Sequence, residues 1–131
     1  MWALDTNVLV RYIAQDDPSQ SAAATRLIEE AVRPAEPAFV SLVALLETVW
    51  VLESRYAAKP SLVCEVLDDL LSAAAFQVQE AAAVRRAVSL YKRGRVDLHD
   101  ALIVSMAAER GATAVTFDAK AARRLGMRLL K

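Results

Sequence analysis

Hydrophobic residues occur along this chain in short blocks, and several blocks end on an acidic residue. The first apolar block, residues 2–4, ends at Asp5, and apolar residues resume at Val8. A short apolar run followed by helical spacing predicts a buried strand leading into a helix. Runs at 38–40, 76–78 and 114–117 predict three further strands, and 127–130 predicts a fifth at the sheet edge.

Helix signals fill the intervals between these strands. Asp17 before Pro18, Ser41 before an apolar run, and Asp97 before Leu98 are each typical of a helix start. The helices are predicted at 8–14, 18–32, 42–56, 60–74, 81–91, 98–109 and from 119 to Gly126. This alternation predicts a single domain, residues 1–131, with a three-layer α/β/α fold around a parallel sheet.

Composition excludes several classes of protein. The three glycines follow predicted helices, and none forms the Gly-x-Gly-x-x-Gly or Gly-Lys-Ser/Thr pattern of nucleotide-binding loops. The longest apolar stretch, residues 38–52, contains Glu47 and is too short to span a bilayer. With one cysteine and no apolar leader before Asp5, we expect a cytoplasmic protein without disulfides.

Charge is distributed unevenly although the chain is neutral overall. Residues 1–70 carry 11 acidic and 5 basic side chains, a net charge of −6, and residues 71–131 carry the reverse, +6. A basic half is compatible with nucleic acid, and it is equally compatible with solvated helix faces.

Four acidic residues interrupt apolar segments and are the candidate functional residues: Asp5, Glu47, Asp100 and Asp118. Asp5 and Asp118 follow predicted strands. Glu47 has apolar neighbours on nearly every helix face, so we expect it to be buried. Asp100 heads a stripe with Ile103, Val104 and Ala107 that we expect to face the core.

Each acid also has a purely structural explanation. Glu47 could pair with an arginine such as Arg11, whereas Asp97 and Asp118 could serve as helix N-caps. Their combination favours a site, because four converging carboxylates would repel one another without a cation. Oxygen ligands select a hard ion, Mg²⁺ or Mn²⁺, and a single histidine and cysteine disfavour zinc. His99 is predicted to point away from Asp100. Such a metal would activate water for attack on phosphorus.

The ordered motifs Leu4-Asp5-Thr6-Asn7-Val8, Ser41-x5-Glu47, Asp97-x-x-Asp100-Ala101-Leu102-Ile103 and Thr116-Phe117-Asp118 resemble the signature of PIN-domain ribonucleases. More closely, the chain is similar over essentially its whole length to VapC-like toxins of type II toxin–antitoxin pairs. The resemblance implies a five-stranded parallel sheet in the order 3-2-1-4-5. That order would place Asp5 and Asp118 on adjacent strands at the topological switch point.

The same resemblance implies roles for individual residues. Asp5, Glu47, Asp100 and Asp118 match the catalytic, metal-binding acids, and Asp97 matches a less constant fifth acid. The supporting polar residues are Thr6, Asn7, Ser41 and Thr116. The implied function is Mg²⁺-dependent endoribonuclease activity on RNA, with transfer RNA as a candidate target, by a homodimer inhibited by a cognate antitoxin. Five basic residues flank the motifs and are candidates for steering the RNA backbone: Lys92, Arg93, Arg95, Arg123 and Arg124.

Other classes fit less well. A haloacid-dehalogenase-type phosphatase needs an acid where this chain has Asn7, and a receiver domain needs an Asp after the third strand, where residues 76–80 offer none. A catalytically inactive PIN-like scaffold that binds a partner protein or RNA remains the alternative.

Overall fold

The computed structural model describes all residues from 1 to 131. The helices form in the predicted order, and four of the five predicted strands are present, whereas the first predicted strand forms only a single bridge. The chain divides into two compact units, Met1–Gln79 and Glu80–Lys131. The first unit contains α1 (Thr6–Ala14), α2 (Pro18–Arg26), β1 (Ala38–Val40), α3 (Leu42–Arg55), α4 (Pro60–Ser72) and β2 (Phe76–Val78). The second contains α5 (Ala81–Lys92), α6 (Leu98–Glu109), β3 (Val115–Thr116), α7 (Ala119–Leu125) and β4 (Arg128–Leu129).

The predicted helix over 18–32 is α-helical only in its first part. After α2, the segment Leu27–Ala31 continues as a single π-helical turn before the chain breaks at Val32. The start of α2 is as expected, because Asp17 accepts a hydrogen bond from the Gln20 N–H at 2.9 Å and Pro18 occupies the first turn.

A parallel sheet in the first unit joins β1 and β2, with Ala38 opposite Phe76 and Val40 opposite Val78. The first apolar segment adds a single parallel bridge between Ala3 and Phe39. Its hydrogen bonds run from the Leu4 N–H to the Phe39 carbonyl, at 3.0 Å, and from the Phe39 N–H to the Trp2 carbonyl, at 2.6 Å. The order within this unit is therefore first segment, β1, β2.

The second unit has its own parallel sheet, in which β3 pairs with β4. Val115 lies opposite Arg128 and Thr116 opposite Leu129. The predicted edge strand at the C-terminus is therefore present, although it is only two residues long.

One five-stranded sheet was predicted, and that prediction is wrong. The structure has four strands in two separate two-stranded sheets, each reproducing one part of the predicted neighbour order. The first segment makes two backbone hydrogen bonds to Phe39, enough for a bridge and too few for a ladder. Side-chain exposure agrees with the smaller sheets. Trp2 in the first segment and Phe117 after β3 are 52% and 79% exposed, whereas the central strands of a five-stranded parallel sheet would bury their side chains.

Each unit has its own buried apolar residues. In the first unit, α1 contributes Leu9, α3 contributes Leu45 and α4 contributes Leu67, all at most 1% exposed. Cys64 is buried in α4, as expected of a small apolar side chain. In the second unit, α5 packs against α6, and the buried residues of these two helices include Ala83, Val84, Ala87, Ala101 and Leu102. No helix combines the length and the apolar character that crossing a bilayer requires.

A polar cluster joins three helices of the first unit. Asp16, just before α2, accepts hydrogen bonds from Arg11 of α1, at 3.1 Å, and from the Tyr56 hydroxyl at the end of α3. Arg11 also donates to Gln20 at 2.7 Å. The cluster ties the ends of α1 and α3 to the start of α2.

Candidate acidic site

Asp5 is placed at the N-terminus of α1 with its carboxylate uncommitted to the helix. Its backbone carbonyl accepts the first helical hydrogen bonds, from Val8 at 3.0 Å and Leu9 at 3.2 Å, but its side chain makes no capping bond. Asp5 is exposed, which leaves its carboxylate accessible to a ligand. Thr6 next to it is buried, and Asn7 is exposed.

The side chain of Asn7 makes no hydrogen bond to a carboxylate of the first unit. It lines a groove of about 460 Å³ between α1 and α2, together with Val8, Arg11 and Gln20. Its predicted role in orienting the acids therefore stays a prediction.

Glu47 is exposed, so the prediction that it is buried is wrong. The α3 residues that enter the core are Ala44, Leu45, Thr48, Val49 and Leu52. Those residues occupy one side of the helix, whereas Val43 and Trp50 lie near Glu47 on the other side and are 75% and 59% exposed. The helix is apolar almost all round but buried on one face only. The alternative pairing with Arg11 does not form, because Arg11 bonds to Asp16, Gln20 and Tyr56.

Ser41 fixes the start of the helix that carries Glu47. Its hydroxyl accepts a hydrogen bond from the Ala44 N–H at 3.1 Å. The Gln79 side chain satisfies a second free donor by accepting from the Leu42 N–H at 2.9 Å. The sequence predicted the Ser41 cap, whereas the contribution of Gln79 depends on a contact 37 residues apart in sequence.

The second unit brings three of the predicted acids to one cleft of about 170 Å³ between α6, α7 and the loop before α6. Its lining side chains are acidic, basic or apolar: Asp97, Asp100, Asp118, Arg95, Lys120, Arg124, Val96, Ala121 and Leu125. Two of the predicted basic residues, Arg95 and Arg124, are among them. Lys120 was not predicted, although its position two residues after Asp118 could have suggested it.

Asp118 combines a structural role with a free oxygen. Its Oδ1 accepts hydrogen bonds from the backbone N–H groups of Lys120, at 2.8 Å, and Ala121, at 3.2 Å, and so caps α7. Thr116 accepts from the Asp118 N–H at 3.0 Å and fixes the backbone at this position. Since both capping bonds use Oδ1, Oδ2 is available for another ligand.

Asp97 and Asp100 lie at the start of α6. Asp97 holds the N-cap position, but its side chain makes no capping bond. The side chain of Asp100 is 32% exposed, and its Oδ1 lies 3.8 Å from Nδ1 of His99. His99 is a surface residue, with its side chain 70% exposed, and its ring nitrogen approaches the carboxylate of its neighbour Asp100.

The core-facing stripe predicted for α6 is also wrong. Ile103 is 44% exposed, and the buried residues of α6 are Leu98, Ala101, Leu102 and Ser105. Asp100 therefore lies at the border of the buried face, adjoining Ala101, and is half-buried. That position allows it to line the cleft.

The candidate metal ligands are the carboxylate oxygens of Asp and Glu side chains, and oxygen ligands of this kind suit a hard divalent cation. Although three acids line the cleft, neither unit by itself brings three or more His, Cys, Asp or Glu side chains close enough to hold a metal ion. The first unit carries Asp5 and Glu47, and the second carries Asp97, Asp100 and Asp118.

Comparison with known proteins agrees with the motifs. The family model of the PIN domain matches residues 3–126. No curated protein matches the sequence. PIN domains have a three-layer α/β/α fold and are generally metal-dependent nucleases. Because the match covers nearly the whole chain, including all four predicted acids, this protein belongs to the PIN domain family.

Proposed function

We propose that this PIN domain is an endoribonuclease that depends on Mg²⁺ or Mn²⁺. The observation that carries the proposal is the family match over residues 3–126 with acids at the motif positions Asp5, Glu47, Asp100 and Asp118. The cleft of the second unit adds support, because it sets acidic side chains beside basic ones. Acids suit the cation, and basic groups suit a phosphate backbone.

The chemistry follows from the donor set. A bound divalent cation supplies Lewis-acid activation of water and stabilises charge on the phosphoryl oxygens. Asp118 would offer Oδ2, since Oδ1 is held by the start of α7. Asp100 is half-buried, and no arginine or lysine of the cleft lies within ion-pair distance of it, so its carboxylate would be suited to hold the cation or to accept a proton from water.

We further propose that the protein is a VapC-like toxin that acts on RNA in the cytoplasm, with transfer RNA as a candidate target. It would form a homodimer and would be inhibited by a cognate antitoxin. The exposed apolar side chains of Val43 and Trp50 on α3 support a protein partner, because such side chains on a solvent-facing helix are suited to an interface. The same observation favours the alternative, a PIN-like scaffold without catalysis.

An RNA cleavage assay separates the two functions. Purified protein is incubated with RNA in Mg²⁺ or Mn²⁺, with EDTA in a parallel sample, beside Asp5→Asn and the matched control Asp69→Asn on α4. We expect cleavage by the wild type and by Asp69→Asn, and none with EDTA or Asp5→Asn. An inactive wild type would favour the scaffold, and cleavage that survives EDTA would rule out the metal mechanism.

The toxin assignment needs a cellular test. Induced expression of the wild type in a bacterial host should arrest growth, whereas Asp100→Asn expressed at the same level should not. Normal growth with a wild-type protein that cleaves RNA in vitro would contradict the toxin role and leave the nuclease activity standing.

A further inference from the structure

Arg124 lines the cleft between α6 and α7 that also contains Asp97, Asp100 and Asp118, called the acidic cleft below. A hydrogen bond to a main-chain carbonyl holds its side chain there. Its Nη1 donates to the carbonyl oxygen of Arg95 at 2.7 Å. Arg95 has a φ of +67°, a left-handed conformation that costs energy for a residue with a side chain. The bond therefore connects the C-terminal half of α7 to the irregular loop that precedes Asp97.

The guanidinium forms no ion pair with the acids of the same cleft. Asp97, Asp100 and Asp118 all line the cleft with Arg124, yet none lies within salt-bridge distance of it. A flexible cation beside several carboxylates would be expected to collapse onto one of them. The bond to the Arg95 carbonyl holds the guanidinium apart, so neither Arg124 nor the acids are neutralised.

The remaining donors of Arg124 are suited to a phosphate. A guanidinium has five N–H donors in a planar fork, and the Arg95 carbonyl uses one of them. The planar fork matches the oxygens of a phosphodiester, and a guanidinium that is already oriented loses less entropy when it binds. Lys120 lines the same cleft and adds a second positive charge.

We propose that Arg124, oriented by the Arg95 carbonyl, binds a backbone phosphate of the RNA substrate at the acidic cleft. The proposal rests on the proposed ribonuclease function and assigns one of its substrate contacts. It distinguishes Arg124 from the neighbouring Arg123, which lies on the same short helix and does not line the cleft.

The test measures RNA binding without catalysis. A labelled single-stranded RNA is titrated with protein in EDTA at several salt concentrations, and fluorescence anisotropy gives the slope of log K against log salt. The variants are Arg124→Gln, Arg124→Lys and the matched control Arg128→Gln, at an exposed arginine of β4 that does not line the cleft. Each phosphate contact to a single strand contributes roughly 0.7 to the slope. We expect Arg124→Gln to lower its magnitude by about that amount, with Arg128→Gln and Arg124→Lys unchanged.

Cleavage kinetics provide the second readout. Arg124→Lys keeps the charge but lacks the fork, so it should raise KM with little change in kcat. An unchanged slope in Arg124→Gln, an equal loss in Arg128→Gln, or a wild-type KM in Arg124→Lys would overturn the proposal. If the wild type cleaves RNA and the Arg124 variants have the same salt slope and KM, only the inference about Arg124 is contradicted. A wild type that neither binds nor cleaves RNA defeats the proposed function as well.

Discussion

The Oδ1 atom of Asp118 accepts a hydrogen bond from the Lys120 N–H at 2.8 Å, so a predicted catalytic acid is also the N-cap of α7. The two roles are separable. Asn caps a helix about as well as Asp, whereas Ala costs about 1 kcal/mol. We therefore expect Asp118→Asn to keep the free energy of unfolding while Asp118→Ala loses about 1 kcal/mol, as measured by urea denaturation. Both variants should lose RNA cleavage. Cleavage by Asp118→Asn would show that the carboxylate serves only the helix.

The charge of Asp100 should make no favourable contribution to the free energy of unfolding of the metal-free protein. Its one close polar neighbour is His99, at 3.8 Å; its cleft holds two other acids, and none of the three basic residues of the cleft forms an ion pair with it. Removing its charge relieves repulsion among the carboxylates. In EDTA, Asp100→Asn should unfold at the same or a higher urea concentration than the wild type. A clear loss of stability would instead assign Asp100 a structural pairing role.

The cluster around Asp16 predicts a pH dependence of stability. The hydrogen bond from Tyr56 lowers the pKa of Asp16, and the same bond raises the pKa of Tyr56. The lowered carboxyl pKa contributes stability above the unfolded-state pKa of Asp16, and that stability is lost as the pH falls through the folded-state pKa. The raised phenol pKa contributes stability that is lost only as the pH rises through the folded-state pKa of Tyr56.

Tyr56→Phe should therefore destabilise the protein at neutral pH, and the difference from wild type should shrink in acid. Urea unfolding at both pH values measures the two differences. Tyr12→Phe is the control, because Tyr12 lies outside the cluster and its substitution should have a pH-independent effect. A Tyr56→Phe deficit of equal size at neutral and acid pH would contradict the assigned hydrogen bond.

Ser41 should contribute through its cap on α3. Its hydroxyl accepts from the Ala44 N–H at 3.1 Å, and loss of such a cap costs about 0.5–2 kcal/mol. Ser41→Ala should lower the free energy of unfolding by that amount, whereas Ser61→Ala on the exposed first turn of α4 should have little effect. Equal results for the two variants would show that the Gln79 side chain suffices to hold the helix start.

Features that depend on neighbouring residues were predictable from sequence. Asp17 with Pro18 marks the start of α2, and α6 spans the predicted residues 98–109. Gly126 ends α7 with a φ of +71°, a conformation that glycine adopts without steric cost.

Features that depend on distant partners were not predictable. The first apolar segment forms one bridge to Phe39 in place of a full strand, because a ladder needs partners that sequence spacing does not reveal. The exposure of Glu47 was missed for a similar reason, since an apolar helix can bury one face only. The bond between Arg124 and the Arg95 carbonyl joins residues 29 positions apart and leaves no local signal.

Binding of Mn²⁺ tests the central proposal most directly, because the proposed function assigns a metal-binding role to each of the four acids. Isothermal titration compares the wild type with Asp5→Asn, Glu47→Gln, Asp100→Asn and Asp118→Asn, using Asp69→Asn as the control. We expect each of the four neutral variants to weaken binding at least about tenfold and the control to match the wild type. A wild type that binds no Mn²⁺, or an affinity untouched by the loss of Asp5 or Glu47, would contradict the metal-binding role proposed for these acids.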